Sequence, residues 1–198
     1  MQKPSWQQHN QQVSKIDLSA SAPLKMAFEQ LTDITDKFFA ADLGCGSGID
    51  TLAMLDKGWN VLATDIDEHS IELLKKHACD NRLKVAIQSF EELSLPSLDL
   101  VNASMALPFC SPSHFPACWD NITQSIKTHG IFCGHFFGIN DSWAQRPGMN
   151  FISRKDFNIL FQKFELLWTE EIEKDGKTIS GATKHWHIFS VVARKIMP

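Results

Sequence analysis

The stretch Phe38–Asp67, FFAADLGCGSGIDTLAMLDKGWNVLATDID, constrains the fold of this chain more than any other. It reads as a strand, a glycine-rich turn, a helix, a second strand and a closing acid. Phe38, Phe39, Ala40, Ala41 and Leu43 make the short apolar run expected of a strand buried on both faces of a parallel sheet. Gly44, Gly46 and Gly48 follow at alternate positions, a helical pattern starts at Ile49, and Val61, Leu62 and Ala63 lead to Asp65. A backbone that turns sharply from strand to helix, and lets a ligand approach it closely, is cheapest to build from glycine. The helix start offers unpaired N–H groups and partial positive charge. A carboxylate at the tip of the next strand can accept hydrogen bonds from both hydroxyls of a ribose. The stretch is a nucleoside-binding half-site of an open α/β sheet.

The nicotinamide and flavin fingerprint is G-x-G-x-x-G, whose third glycine lets the helix pack close beneath a pyrophosphate. Counted from Gly44, that third position is Ile49, so the dinucleotide reading fails. The pattern is instead D-x-G-x-G-x-G, with Asp42 in the last turn of the strand. This resembles motif I of the class I S-adenosylmethionine-dependent methyltransferases. The terminal run KHWHIFSVVARK and the small size look most like the branch that includes tellurite-resistance and thiopurine methyltransferases.

The resemblance implies a Rossmann-like seven-stranded sheet, mostly parallel with an antiparallel C-terminal strand, and helices on both faces. It implies S-adenosyl-L-methionine as cofactor and SN2 transfer of its methyl group to a small-molecule acceptor. Asp42, Gly44, Cys45, Gly46 and Gly48 would then surround the methionine part, Asp65 would hold the ribose, and Ile66 would offer an apolar face to the adenine. Ser89 stands where the family often has an aspartate for the adenine amino group, so the Ser89 hydroxyl and the Phe90 amide take that place. Asp99 occupies the usual acidic position of motif IV, and Asn102 and Ala103 lie at the carboxyl end of that strand. Asn102 is not followed by the paired prolines of DNA adenine and protein glutamine methyltransferases. Asp50 in the first helical turn either complements the helix dipole or meets the ammonium of the cofactor.

Composition agrees. At 198 residues one α/β domain is expected, here residues 22–198, preceded by a segment 1–21 that is either flexible or a lid. A net charge of −4 gives no basic footprint for nucleic acid, and nothing favours a membrane. The start MQKPSWQQHNQQ has no apolar core of a secretory signal, and the five scattered cysteines lack C-x-x-C spacing. Free thiols in the cytoplasm and no metal site are therefore expected; oligomeric state is left open.

The remaining segments fill out the sheet. Helices are expected from Ser21 to about Thr35, Ile49 to Lys57, Asp67 or Ser70 to about Asp80, Ser113 to Lys127, and Ser153 to about Gln162. Strands are expected at Leu83–Gln88, Ser97–Ala103 and Ile131–Phe137, followed by a hairpin of Phe164–Glu173 with His185–Arg194. Trp119 falls on the apolar face of its helix. The loop Gly138–Asn150 carries Trp143 and Arg146, which could clamp a small anionic or planar acceptor. Trp6 and His9 in the N-terminal segment are further acceptor-side candidates, and His9, His135 and His185 are candidate bases for an acceptor that needs one. A non-catalytic S-adenosylmethionine or S-adenosylhomocysteine binding protein is the rival reading.

Overall fold

The computed structural model describes residues 19–31 and 38–197, so Trp6 and His9 lie outside the described residues. Within them the apolar runs become one sheet of β1 (Phe39–Leu43), β2 (Asn60–Asp65), β3 (Leu83–Ile87), β4 (Leu98–Ala103), β5 (Ile126–Phe137), β6 (Phe164–Lys177) and β7 (Thr183–Lys195). Their order is β3-β2-β1-β4-β5-β7-β6. The pairs from β3 to β5 are parallel, and β7 runs antiparallel to both β5 and β6. The expected mostly parallel sheet with an antiparallel C-terminal strand is borne out. The chain winds outward from β1 in one direction through β2 and β3, then resumes on the other side at β4. The crevice at the carboxyl ends of β1 and β4 is the switch point where open α/β sheets bind ligands.

Among the described residues the two faces are covered by α1 (Ala22–Gln30), α2 (Ile49–Asp56), α3 (Glu68–His77), a 3-10 turn at Leu107–Phe109, α4 (Phe115–Ser125) and α5 (Arg154–Leu160). One core layer joins α1 and α2 to the sheet through Leu24, Met54, Trp59, Leu100, Ile131 and Val192. The other, under α4 and α5, is largely aromatic. Trp119 of α4 sits 5.0 Å from Phe132 and 5.3 Å from Phe161, ring to ring and edge-on, the core position its helical spacing predicted. No helix among the described residues is long and apolar enough to cross a membrane.

Several boundaries move for physical reasons. β5 begins at Ile126, not Ile131, because the chain leaves α4 directly into the sheet and pairs Ile126 with Leu98. An irregular register between Leu98 and Leu100, with His129 at φ 68, absorbs the extra length. Asp99 faces the wrong end of the sheet for a site residue. It accepts the Phe39 backbone N–H at 2.9 Å and pairs with Lys127 at 2.8 Å, clamping the amino-terminal ends of β1, β4 and β5. The final hairpin is longer than expected at both ends and turns through Gly181 at φ 85. Ser153 and Asp156 form the capping box expected at the start of α5. α1 ends at Gln30, short of the expected end at about Thr35, because Leu31 takes an extended conformation at φ −108 and ψ 101; residues 32–37 lie outside the described residues.

Candidate cofactor and acceptor site

The glycine loop closes on itself through its backbone. The Cys45 N–H donates to Thr64 of β2 at 2.9 Å, the Gly48 N–H to Cys45 at 2.9 Å, and α2 then begins at Ile49. Two glycines are required by space as well as by conformation. A Cβ on Gly44 (φ 67) would lie 2.6 Å from Ala106 Cβ, and one on Gly48 (φ 84) would lie 2.5 Å from Leu74 Cδ1 of α3. Gly48 thus lets the start of α2 lie close against α3.

Asp65 ends β2 at the mouth of this loop. Its Oδ2 accepts the Gly46 N–H at 2.8 Å and its Oδ1 accepts the Asp67 N–H at 2.9 Å, and a carboxylate can accept further hydrogen bonds beyond these. Partial burial raises its pKa, and the backbone N–H groups of Asp67, Gly46 and Ile66 oppose that rise. Ile66, the next residue, is 60% exposed, an apolar side chain held in water beside a carboxylate. Ser89 and Phe90 lie half-buried just after β3, and the Phe90 ring reaches to 3.8 Å from where a Gly44 Cβ would stand. The loop, Asp65, Ile66 and Phe90 therefore share one edge.

Under the loop lies a buried acidic network. Asp42 is 2% exposed, and its carboxylate accepts the Thr51 hydroxyl at 2.6 Å and the Asn102 amide at 2.8 Å. The same amide donates to Asp50 at 2.9 Å, while Ser21 gives Asp50 both its N–H and its hydroxyl. Burial, with Asp50 nearby, pushes the Asp42 carboxyl up to about 7. Asn102 is fully buried, and its Oδ1 accepts the Cys133 thiol at 3.4 Å. Asn102 was expected to touch the cofactor; with its amide spent on two carboxylates, it is a brace that spaces them. Ala103 is equally buried and takes no part at the surface. Asp50 likewise is tied to Ser21 rather than presented to a ligand. Burial also pushes the Cys45 thiol well above its ordinary range, so it is no thiolate.

The acceptor side is built from the loop after β5. Trp143 and Arg146 are brought together as the sequence suggested, with the guanidinium 4.1 Å from the Trp143 ring centre. Sequence reasoning missed what anchors them. Asp141 and Lys184 form a fully buried ion pair, and the Lys184 ammonium lies 3.8 Å from the Trp186 ring centre, 4.5 Å from Trp143 and 5.0 Å from Phe137. Asp141 also accepts the Trp143 N–H at 2.9 Å. Lys184 and Trp186 stand two apart in a strand and so share a face; that spacing was the available signal. His185 is engaged by Asp175 at 2.7 Å on the hairpin, and His187 by Glu171 at 2.9 Å. His135 does face the site edge, beside Ser104 at 3.2 Å.

Comparison with known proteins agrees with this geometry. Residues 40–130 match the model of a methyltransferase domain family. A ubiquinone biosynthesis O-methyltransferase of Rickettsia conorii is 31% identical over 68 residues, 34% of this chain and 24% of that one. The chain spans about a quarter of the length of the curated relatives it matches. Among solved structures, TehB from Haemophilus influenzae superposes with TM-score 0.72 at 18% identity, covering 88% of this chain and 62% of its own. The Burkholderia thailandensis 1,6-didemethyltoxoflavin-N1-methyltransferase gives TM-score 0.67 at 18% identity, covering 100% and 92%. At such identities the structural likeness concerns the fold.

The described residues fit that family's cofactor. The loop is built of glycines, Asp65 is a carboxylate at its mouth with capacity to accept more hydrogen bonds, and the apolar Ile66 beside it is uncovered, a set of groups suited to a methionine backbone, a diol and a flat purine.

Proposed function

We propose that this chain, whose residues 40–130 match a methyltransferase domain family, uses S-adenosylmethionine to transfer a methyl group to a small planar or anionic acceptor. The observation that carries the reading is Asp65, a carboxylate with capacity to accept more hydrogen bonds, set between the glycine loop and the exposed Ile66. When bound, the cofactor supplies a methyl on a positively charged sulfur, already a strong electrophile. What the chain must add is alignment and exclusion of water. Gly44, Gly46 and Gly48 give the methionine part room against the backbone, with Asp42 beneath them as the nearest buried carboxyl. Ile66 and Phe90 flank the adenine, and Ser89 offers its hydroxyl. Trp143 supplies a flat surface for the acceptor and Arg146 a fork for its negative charge. Trp6 and His9, in a segment outside the described residues, would complete the acceptor side.

The relatives' names span an O-methyltransferase and N-methyltransferases, which supports methyl transfer without choosing the acceptor atom. Titration calorimetry with S-adenosylhomocysteine tests the premise. Asp65→Ala should weaken binding by about 2–4 kcal/mol, the loss of one or two hydrogen bonds to a charged group. Unchanged affinity would remove Asp65 from the site. Wild-type binding without turnover of any acceptor would favour the non-catalytic binding protein.

A further inference from the structure

The loop that carries Trp143 and Arg146 leaves the sheet beside a buried histidine, His187. The chain departs from β5 with the Gly138 N–H donating to the His187 carbonyl at 2.7 Å, and it returns to β7 where the Ser142 N–H donates to the His185 carbonyl at 3.1 Å. Between those two bonds side chains take over from backbone. The Asn140 N–H donates to His187 Nδ1 at 3.1 Å, while the His187 N–H donates to Asp141 Oδ2 at 3.3 Å. Each segment satisfies the other's backbone donor with a side chain, the reciprocal device of a capping box used here at a strand's end.

The ring is held from every side. His187 is 4% exposed, and a Cβ on Gly138 would stand 2.1 Å from its Nδ1, so the imidazole fills the space a side chain would need there. Its centre lies 4.9 Å from that of Phe189. Nε2 is 2.9 Å from Glu171 Oε1 on β6, and Glu171 is itself paired with Arg154 at the start of α5. These contacts assign the tautomer. A backbone N–H can only donate, so Nδ1 accepts and carries no hydrogen, and Nε2 donates to the Glu171 carboxylate.

We propose that His187, as a neutral ring accepting through Nδ1, is the positioning residue of the acceptor loop, and that protonating this ring releases the loop. The inference rests on the acceptor-side reading of Trp143 and Arg146 above. The path is short. Asn140, held by the ring, is followed by Asp141, whose Oδ1 accepts the Trp143 N–H at 2.9 Å. Trp143 in turn accepts the Arg146 N–H at 2.8 Å and carries its guanidinium. A second proton would make Nδ1 a donor facing the Asn140 donor, and the contact would turn from attraction to repulsion. The charged and titratable groups around the ring are Glu171 and Glu173 on β6, Arg154 on α5, Asp141 in the loop, and Lys184 and His185 on β7. Glu173 reaches the loop through the Asn140 side-chain amide at 3.2 Å.

The test uses two substitutions that each keep one half of the ring's hydrogen bonding. His187→Asn places an oxygen where Nδ1 lies, and His187→Gln places an amide near Nε2. Exchange of the Asn140, Ser142 and Trp143 amides, followed by NMR, should stay within about threefold of wild type in His187→Asn and accelerate about 10- to 100-fold in His187→Gln, the effect of one buried donor left unpaired. The Arg146 side-chain protons, shifted upfield over the Trp143 ring in wild type and in His187→Asn, should return towards free arginine in His187→Gln. In wild type the nitrogen-15 signals of the ring should show Nδ1 bare and Nε2 protonated, and the loop amides should lose protection at the pH where those signals report a second proton. The Val192 amide in the middle of β7 should keep its protection throughout. Equal exchange in the two variants, a protonated Nδ1 at neutral pH, loop protection that outlasts protonation of the ring, or a loss that takes Val192 with it would overturn the proposal. Affinity for S-adenosylhomocysteine should hold within about threefold in all three proteins. Wild type that fails to bind it would overturn the methyl-transfer reading, while the exchange data decide the role of His187 independently.

Discussion

The donor side and the acceptor side of this site are built by opposite means. On the donor side the loop, α2, β2 and Asp65 come from one continuous stretch, and the bond that joins Gly46 to Asp65 spans 19 residues. The holding groups are backbone N–H donors and glycines, whose geometry hardly depends on side-chain identity. On the acceptor side Ser104 meets His135 across 31 residues and Asp141 meets Lys184 across 43. The holding groups there are buried side chains, a charge pair inside a ring of aromatics. The comparison teaches that the donor geometry is local and robust, while the acceptor geometry can be rebuilt by changing a few side chains on a fixed sheet.

The sharpest way to break that contrast is to remove one half of the buried pair. Asp141→Ala strands the Lys184 ammonium among Phe137, Trp143 and Trp186 and should cost about 3–5 kcal/mol of stability in urea denaturation, as removal of one partner of a buried ion pair does. Affinity for S-adenosylhomocysteine in the protein that remains folded should change by less than about threefold, since these sites share no partners. A matching collapse of cofactor affinity would mean the two sides are one unit.

A second measurement separates the sides by pH. Asp42, with its folded pKa raised to about 7 from an unfolded 3.8, favours the folded state most below pH 4 and loses that contribution as pH rises towards 7. His135, depressed to about 4 from 6.5, does the reverse. It favours the folded state above pH 6.5, and that contribution is lost as pH falls towards 4. The two slopes oppose each other in wild type between pH 4 and 6.5. Unfolding free energy should therefore decline more steeply with rising pH in His135→Gln and increase with rising pH in Asp42→Asn, each relative to wild type. Parallel profiles in both variants would refute the opposed titrations.

The smallest expected effect sharpens specificity. Arg146 is exposed and rests on Trp143, so Arg146→Ala should change stability by less than about 1 kcal/mol. Its KM for an anionic acceptor should rise while that for a neutral one holds, a difference that added salt should erase. Equal effects on both would remove Arg146 from charge recognition.

The sequence made some of this plain. Asp42, the three glycines and Asp65 were legible because a tight strand-to-helix turn demands residue types that few other structures need, and their spacing is short. The terminal hairpin was legible because two strands followed without a helix between them. Asn102 misled because its place at a strand's carboxyl end suggests ligand contact, and only the packing of Asp42, Asp50 and Cys133 around it shows a brace. Asp99 shows the same limit from the other end of that strand: position along a strand does not say which neighbour's backbone will claim a carboxylate.

What the sequence determined by itself was the donor half-site and the succession of strands and helices around it, because local backbone conformation and hydrophobic period specify both. What only the tertiary structure decided was which distant side chains meet: Lys184 inside its aromatic ring, Arg146 on Trp143, and His135 turned to Ser104. Those meetings depend on the register of β5 against β7 and β4, where a shift of one residue would turn every side chain to the other face.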